Sequence, residues 1–342
     1  MLFSNTKITV ADVGARYGIH PNWSDYNGPI HYIAFEPDEQ EAARLEKKYS
    51  GNNSFDYTVL SKALDKFDGD RDFHLLRHRG LSSCLKPLLE SECFRHLKPN
   101  QAEIDQIISM PVQRLDTIAA EIGKQIDFLK VDTEGTEQDV IEGAGALLDA
   151  EVLGIRSSCN FQPCFGKQKL FHETQSFLLD KGFVLLNLDY LGYGYPRLGL
   201  FRKPDPTDRE NSRYGTLVAC DGVWLKSEET LENTFSGDDL TVATMKVSAF
   251  CFLNNAPDVG IDMFKNTIFK NPNIGKIFEK DRLFLWLKLH TAKFLGRYRT
   301  VPDSHWENAQ QIYKVMFNET LLGGSEFYPQ LEELEQQANV SA

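Results

Sequence analysis

The chain has 342 residues, a formal net charge of -12 at pH 7 and 25% charged residues, so it is long enough to bury a sizeable core. The acidic balance argues against nucleic acid as a partner, because neutralising a phosphate backbone takes a clustered basic face. No run of about 18 apolar residues occurs, which excludes an ordinary membrane span, and Met1–Lys7 has none of the basic and apolar regions of a secretory signal.

The first strand is expected over about Lys7 to Val13, where Ile8-Thr9-Val10-Ala11 runs into Asp12, and the chain then turns on Gly14 and Gly18. A second strand over His31 to Glu36 closes on an acid twenty-two residues after Gly14. An α/β sheet holds an adenosine-containing cofactor in this way: glycines admit a close backbone approach, and the acid ending the second strand binds both ribose hydroxyls. Arg16 stands where the three-glycine dinucleotide fingerprint has its middle glycine. A pyrophosphate needs that cradle, whereas S-adenosylmethionine carries no phosphate. The spacing therefore favours S-adenosylmethionine over NAD.

Further along, Asp38 to Tyr49 reads as a helix opened by Pro37, and Phe55 to Leu64 as a third strand ending at Ala63-Leu64-Asp65. Phe73–Leu76 and Met110–Arg114 suggest a small added strand pair, with Leu81 to Pro99 as an excursion between them. Asp127–Asp132 is the expected fourth core strand, Glu137–Asp149 its helix and Val152–Arg156 the fifth strand. A helix over Gln168–Lys181 stops at Gly182, and Phe183–Asp189 and Thr216–Lys226 form a final antiparallel pair. After about Ser227 strand signals vanish. Leu240, Ala243, Val247, Phe250 and Cys251 keep helical spacing, as do Leu283, Trp286, Leu287, His290 and Phe294. The expectation is a cofactor domain over residues 1–226 and a helical appendage over 227–342 with a fraying acidic tail after Leu331. The six cysteines, Cys84, Cys93, Cys159, Cys164, Cys220 and Cys251, form no Cys-x-x-Cys pair and read as reduced thiols of a soluble, cytoplasmic protein. Cys159, Cys164 and His172 lack the spacing and the fourth partner of a metal site, so no metal is expected.

Leu129-Lys130-Val131-Asp132-Thr133-Glu134-Gly135-Thr136-Glu137 carries the second strong signal. Asp132 ends the fourth strand beside the first-strand loop, at the switch point where such sheets bind ligands. Glu134 follows within reach, while Glu137 reads equally as a helix-start acid favoured by the dipole. His20, in the long loop Ile19-His20-Pro21-Asn22-Trp23, is a further candidate base and equally an exposed loop residue. His74, Arg77, His78 and Arg79 suggest either a grip on an anionic substrate or a solvated hairpin.

Asp12-Val13-Gly14-Ala15, Phe35-Glu36-Pro37, Gly80-Leu81-Ser82-Ser83, Val112 to Ile118 and Ile126 to Leu148 occur in order. Together they resemble the FkbM family of S-adenosylmethionine-dependent methyltransferases over about Lys7 to Asp189, leaving the helical appendage uncovered. The resemblance implies a class I methyltransferase fold, a doubly wound Rossmann-like α/β sheet, with S-adenosylmethionine as donor and usually a hydroxyl oxygen as acceptor. Carried over by position, it puts Asp12, Gly14, Ala15 and Gly18 under the methionine moiety, Glu36 with Pro37 at the ribose, and Ala63, Leu64 and Asp65 along the adenine. Asp132 would lie near the methionine amino group or the transferring methyl. Where the family often carries a carboxylate after its fifth strand, this chain reads Arg156-Ser157-Ser158-Cys159-Asn160.

The expected activity is O-methylation of a hydroxyl on a sugar, a glycan or a small biosynthetic intermediate, with Asp132, Glu134 and His20 as candidate bases. A non-catalytic cofactor-binding module is the alternative. An NAD(P)-dependent oxidoreductase is disfavoured by Arg16 and by the absence of a Tyr-x-x-x-Lys pair. The helix from about Phe278 to Arg299, rich in Lys and Arg, reads as a packed helix with a solvated basic face rather than a membrane contact.

Overall fold

The computed structural model describes residues 7–26, 28–51, 56–94, 100–193, 215–265, 271–277, 280–300 and 303–340. Phe55, the end of the excursion at Pro99, and Phe278 and Glu279 of the basic helix lie outside these. The chain divides into two compact units, one of Ile8–Pro21 with Ile30–Thr230, the other taking in Asn22–Pro29 and Leu231 onward.

The first unit is built on ten strands: β1 (Ile8–Val13), β2 (Ile30–Phe35), β3 (Asp56–Leu60), β4 (Ala63–Leu64), β5 (Gly69–Leu76), β6 (Ile104–Gln113), β7 (Phe128–Val131), β8 (Gly154–Asn160), β9 (Phe183–Tyr193) and β10 (Leu217–Lys226). Seven form one sheet in the order β3-β2-β1-β7-β8-β10-β9, parallel from β3 to β8, with β10 antiparallel to both neighbours. The order reverses beside β1, which sets the switch point between β1 and β7. β1 and β2 are buried almost throughout, as central parallel strands covered on both faces must be. The helices are α1 (Glu39–Tyr49), α2 (Leu115–Ile122), α3 (Glu137–Glu142), α4 (Gly145–Ala150) and α5 (Phe171–Asp180). Val13, Phe35, Val131 and Ile155 of the sheet share one core with Leu115 and Ile118 of α2, Ile141 of α3 and Leu178 of α5.

Four expectations are corrected. The third strand does not run through to Leu64. It ends at Leu60, and Ala63–Leu64 pairs instead with β6 in a separate sheet of order β4-β6-β5. The helix after β7 breaks at Gly143-Ala144, where the chain packs so closely on the Asp65 carbonyl that any side chain at Gly143 would collide with it. Cys93 and Cys164 are not reduced thiols but form a disulfide, their Cα atoms 5.6 Å apart across a separation of 71 residues. No local spacing signals such a long-range pair, and it removes the argument for a cytoplasmic setting that rested on reduced cysteines. Finally, the acidic tail does not fray after Leu331, since a helix continues to Val340.

α6 (Glu228–Thr234) leads out of the first unit. The second unit holds α7 (Gly237–Leu253), α8 (Pro257–Met263), α9 (Ile274–Ile277), α10 (Lys280–Leu295), α11 (Asp303–Phe317) and α12 (Phe327–Val340). Val247, Phe250 and Cys251 of α7 and Leu283 and Leu287 of α10 are buried at the expected spacing. Lys288 pairs with Glu319 at 2.5 Å and Lys293 with Glu335 at 2.5 Å, so α10 turns these cations toward acids of the same unit. Leu334 is buried beside that second pair, which is why the tail stays helical. Among the described residues no helix is long and apolar enough to cross a membrane.

Candidate functional site

The loop after β1 is shaped by Gly14. Its φ of +82° lies in the left-handed region, and any side chain there would run into the Asp132 carbonyl at the end of β7. Gly14 and Ala15 N–H groups both donate to the Phe35 carbonyl, at 3.0 and 3.1 Å, which ties this loop to the end of β2. The three strand ends thereby meet at the switch point.

A cavity of about 610 Å³ opens there. Gly14, Glu36, Pro37, Asp132 and Glu134 line its sheet side, and Ala63, Leu64, Phe73, Leu75, Ile108 and Met110 supply an apolar wall. All six come from the small sheet, whose β5 and β6 pair sequence patterning found in part but did not connect to the site. Glu36 is 4% exposed; it accepts the Asp38 N–H at 3.0 Å and lies 3.8 Å from Arg16. Burial raises its pKa above the ordinary glutamate value. Asp38 caps α1 by accepting from the Gln40 and Glu41 N–H groups. Arg77 and Arg79 are paired with Glu103 at 3.1 Å and Asp105 at 2.6 Å, so most of the basic hairpin is internally balanced, although Arg79 reaches the cavity wall.

Several expected residues do not reach the cavity surface. Asp12 is fully buried, with Tyr32 O–H donating to Oδ2 at 2.5 Å and Lys130 Nζ 3.0 Å from Oδ1. Burial raises its pKa, against the pull of Lys130. Ala15 is buried under the loop, Gly18 forms the turn back to the Ala15 carbonyl, and Asp65 is fully buried against Arg71. These four shape the cavity from behind. His20 lines neither cavity described here. Its ring stands edge-on to Tyr190, and burial, with Arg156 and Lys130 nearby, lowers its pKa to about 4.

Lys130 is the residue that sequence reasoning passed over. It pairs in register with Asp12 on one side and Arg156 on the other, so the three side chains form a row on one sheet face. Its Nζ sits 3.0 Å from Asp12, 3.6 Å from Asp132 and 3.2 Å from the Gly14 carbonyl, to which it donates. Desolvation opposes its charge, but the two aspartates prevail and hold its pKa above the usual lysine value. The signal was available: a lysine inside Phe128-Leu129-Lys130-Val131 must find a partner when buried.

The loop after β7 is braced by Glu137, which accepts the Thr133 N–H at 2.9 Å and the Gly135 N–H at 3.0 Å. Burial pushes the Glu137 pKa up to about 7. Glu134 adopts φ +56°, a left-handed conformation that costs a non-glycine residue energy and tends to occur at functional sites. Desolvation, then the facing Asp132 and Glu137 carboxylates, raise its pKa well above the ordinary value. Glu134 also lines a second, smaller cavity of about 220 Å³, together with Ser158 and Asn160 from the end of β8. It therefore stands on the wall common to both.

An open, mostly parallel sheet with a glycine turn and an acid-ended second strand at its switch point is a Rossmann-like methyltransferase architecture. Residues 12–185 match the family model of the methyltransferase FkbM domain, just over half of the chain, and the chain belongs to that family. A crystal structure of methyltransferase FkbM from Methylobacillus flagellatus KT aligns at 16% identity with a TM-score of 0.34. That alignment covers 64% of this chain and 44% of the other, so the chain spans less than half of that protein's length. No curated protein matches the chain significantly.

Proposed function

We propose that this protein is an S-adenosylmethionine-dependent O-methyltransferase, that the larger cavity takes the cofactor, and that Glu134 receives the proton of the acceptor hydroxyl. The observation that carries this reading is the position of Glu134 on the wall between the two cavities, at the carboxyl end of β7. The residues present suit the cofactor. Glu36 offers a carboxylate at the second-strand end for a ribose diol, Ala63, Leu64, Phe73 and Met110 offer an apolar slot for a purine, and Asp132 offers a carboxylate for an ammonium group. S-adenosylmethionine supplies a methyl group already activated on a sulfonium. What remains for the protein is alignment and proton removal.

Lys130 holds Asp132 from behind the loop, Gly14 lets the two loops approach, and Glu137 fixes the backbone from which Glu134 projects. A carboxylate whose pKa is raised by burial is a stronger base once ionised than a solvated one, which fits Glu134 for taking a proton from a hydroxyl. Thermal-shift measurements with S-adenosylmethionine, S-adenosylhomocysteine and NAD test the reading. The first two should raise the melting temperature and NAD should not; stabilisation by NAD alone would overturn it.

A further inference from the structure

Three carboxylates gather where β2 gives way to α1. Glu36 closes the strand, and Asp38 and Glu41 stand at the start of the helix. Arg16, from the loop after β1, reaches all three. Its Nη1 donates to Asp38 Oδ2 at 3.2 Å and lies 3.8 Å from Glu36 Oε1, and its Nη2 lies 3.6 Å from Glu41 Oε1. Arg44 of α1 braces the group, donating from Nε to Glu41 at 2.6 Å and from Nη2 to the Arg16 carbonyl at 2.7 Å. Lys62 and Arg79, the other cations among the described residues of the larger cavity's wall, are paired with Glu121 at 3.2 Å and Asp105 at 2.6 Å. The wall's remaining charged groups are the acids Glu39, Asp132 and Glu134. Both contacts to Glu36, the Asp38 N–H at 3.0 Å and Arg16, fall on Oε1. Oε2 is left without a protein partner among the described residues, on a side chain that lines the cavity.

Glu36 is an anion in unfavourable surroundings. Burial raises its pKa most and Asp38 and Glu41 add like charge, while the Asp38 N–H and Arg16 pull it down. Only the ionised carboxylate accepts charge-assisted hydrogen bonds from a diol. Resting on the function proposed above, we infer that Arg16 is a positioning residue of cofactor binding, which neutralises the carboxylates at the end of β2 and so holds Glu36 charged and fixed by Oε1, with Oε2 left for the ribose. It acts through Glu36 and does not touch the cofactor. The arginine that interrupts the glycine spacing of a dinucleotide loop thus serves the ribose carboxylate by its charge. Cofactor affinity falls as Glu36 takes up a proton, and Arg16 sets the pH at which that fall begins.

The test is titration calorimetry of S-adenosylhomocysteine into the full chain at pH 6.0 and pH 8.5, with the folding of each variant checked by circular dichroism. Arg16→Met keeps the apolar stem and removes the charge. It should bind about tenfold more weakly than wild type at pH 6.0, and the deficit should shrink by about threefold or more at pH 8.5, where Glu36 ionises without help. Arg16→Lys, which keeps the charge, should stay within about threefold of wild type at pH 6.0. In a Glu36→Gln background, Arg16→Met should change affinity by less than about twofold, because its charge has no carboxylate left to hold there. Glu41→Gln strips a like charge and should bind at least as tightly as wild type at pH 6.0, which decides the matter if Arg16→Met does not fold. Full affinity in Arg16→Met, or a deficit equal at the two pH values, overturns the inference. So does an equal deficit in the Glu36→Gln background, which would put Arg16 on the cofactor itself, or weaker binding by Glu41→Gln. Absence of binding by wild type, or unchanged affinity in Glu36→Gln alone, would instead strike the cofactor reading beneath it.

Discussion

Replacing Lys130 by Met should destabilise the sheet unit strongly, and replacing Asp12 as well should relieve much of the loss. In the native chain the Asp12 carboxylate has no exposed surface, and its two partners are Tyr32 O–H at 2.5 Å and Lys130 Nζ at 3.0 Å. Removing one member of such a pair leaves a buried charge without compensation, which costs about 3–5 kcal/mol. Asp12 can limit that cost by taking up a proton. Its pKa in the folded protein is already raised by burial, and losing Lys130 raises it further. A carboxylate with a folded-state pKa above its unfolded value binds more protons when folded, so the variant's deficit should shrink as pH falls toward that range. In Asp12→Asn/Lys130→Met neither member of the pair leaves a charge behind, and the double variant should be more stable than Lys130→Met alone by about 1 kcal/mol or more. Because the chain has two units, hydrogen exchange at the β1 and β7 amides is a better assay than one unfolding midpoint. A Lys130→Met protein within about 0.5 kcal/mol of wild type, or a double variant that loses the full sum of the singles, would refute the pairing as the reason for this lysine.

Glu134→Gln should lower turnover by about a hundredfold or more while leaving S-adenosylhomocysteine affinity nearly unchanged. In wild type kcat/KM should rise with pH through a pKa above the ordinary glutamate value, because it is the ionised form that accepts the proton; an acid limb that persists in Glu134→Gln would assign it elsewhere. Gly14→Ala should cost about 2–5 kcal/mol in chemical denaturation, from left-handed strain together with the collision against the Asp132 carbonyl, and an alanine variant of native stability would show that the loops are not in contact. The protein should stay in the supernatant when sedimented with anionic liposomes, since Lys288 and Lys293 are already paired with Glu319 and Glu335; salt-sensitive co-sedimentation lost on charge reversal at those lysines would contradict this.

The parts of the fold legible in the sequence were those written in local periodicity. The β-branched run into Asp12, the acid-ended second strand and the antiparallel close of the sheet each carry a signal within a few residues. The break between Leu60 and Ala63 was not legible, because both pieces have strand character and only tertiary pairing sends Ala63–Leu64 to another sheet. The Cys93–Cys164 bond and the docking of the C-terminal helix are likewise long-range facts without a local mark. In the site, Gly14, Glu36, Pro37, Ala63, Leu64, Asp132 and Glu134 all face the larger cavity. Motif position alone could not tell these from Asp12 and Asp65, which have the same chemistry but point into the protein. Nor did Glu134 in the sequence reveal that two cavities share it, since the smaller one is closed by β9 and β10, far along the chain.

In the function proposed above, the switch-point cavity binds S-adenosylmethionine with Glu36 on the ribose. Titration calorimetry of wild type and Glu36→Ala with S-adenosylhomocysteine tests it most directly. One site per chain is expected in wild type and a loss of about a hundredfold or more in the variant, from two charge-assisted hydrogen bonds each worth about 1.5–3 kcal/mol. No binding to wild type, or equal affinity in the two proteins, would contradict it.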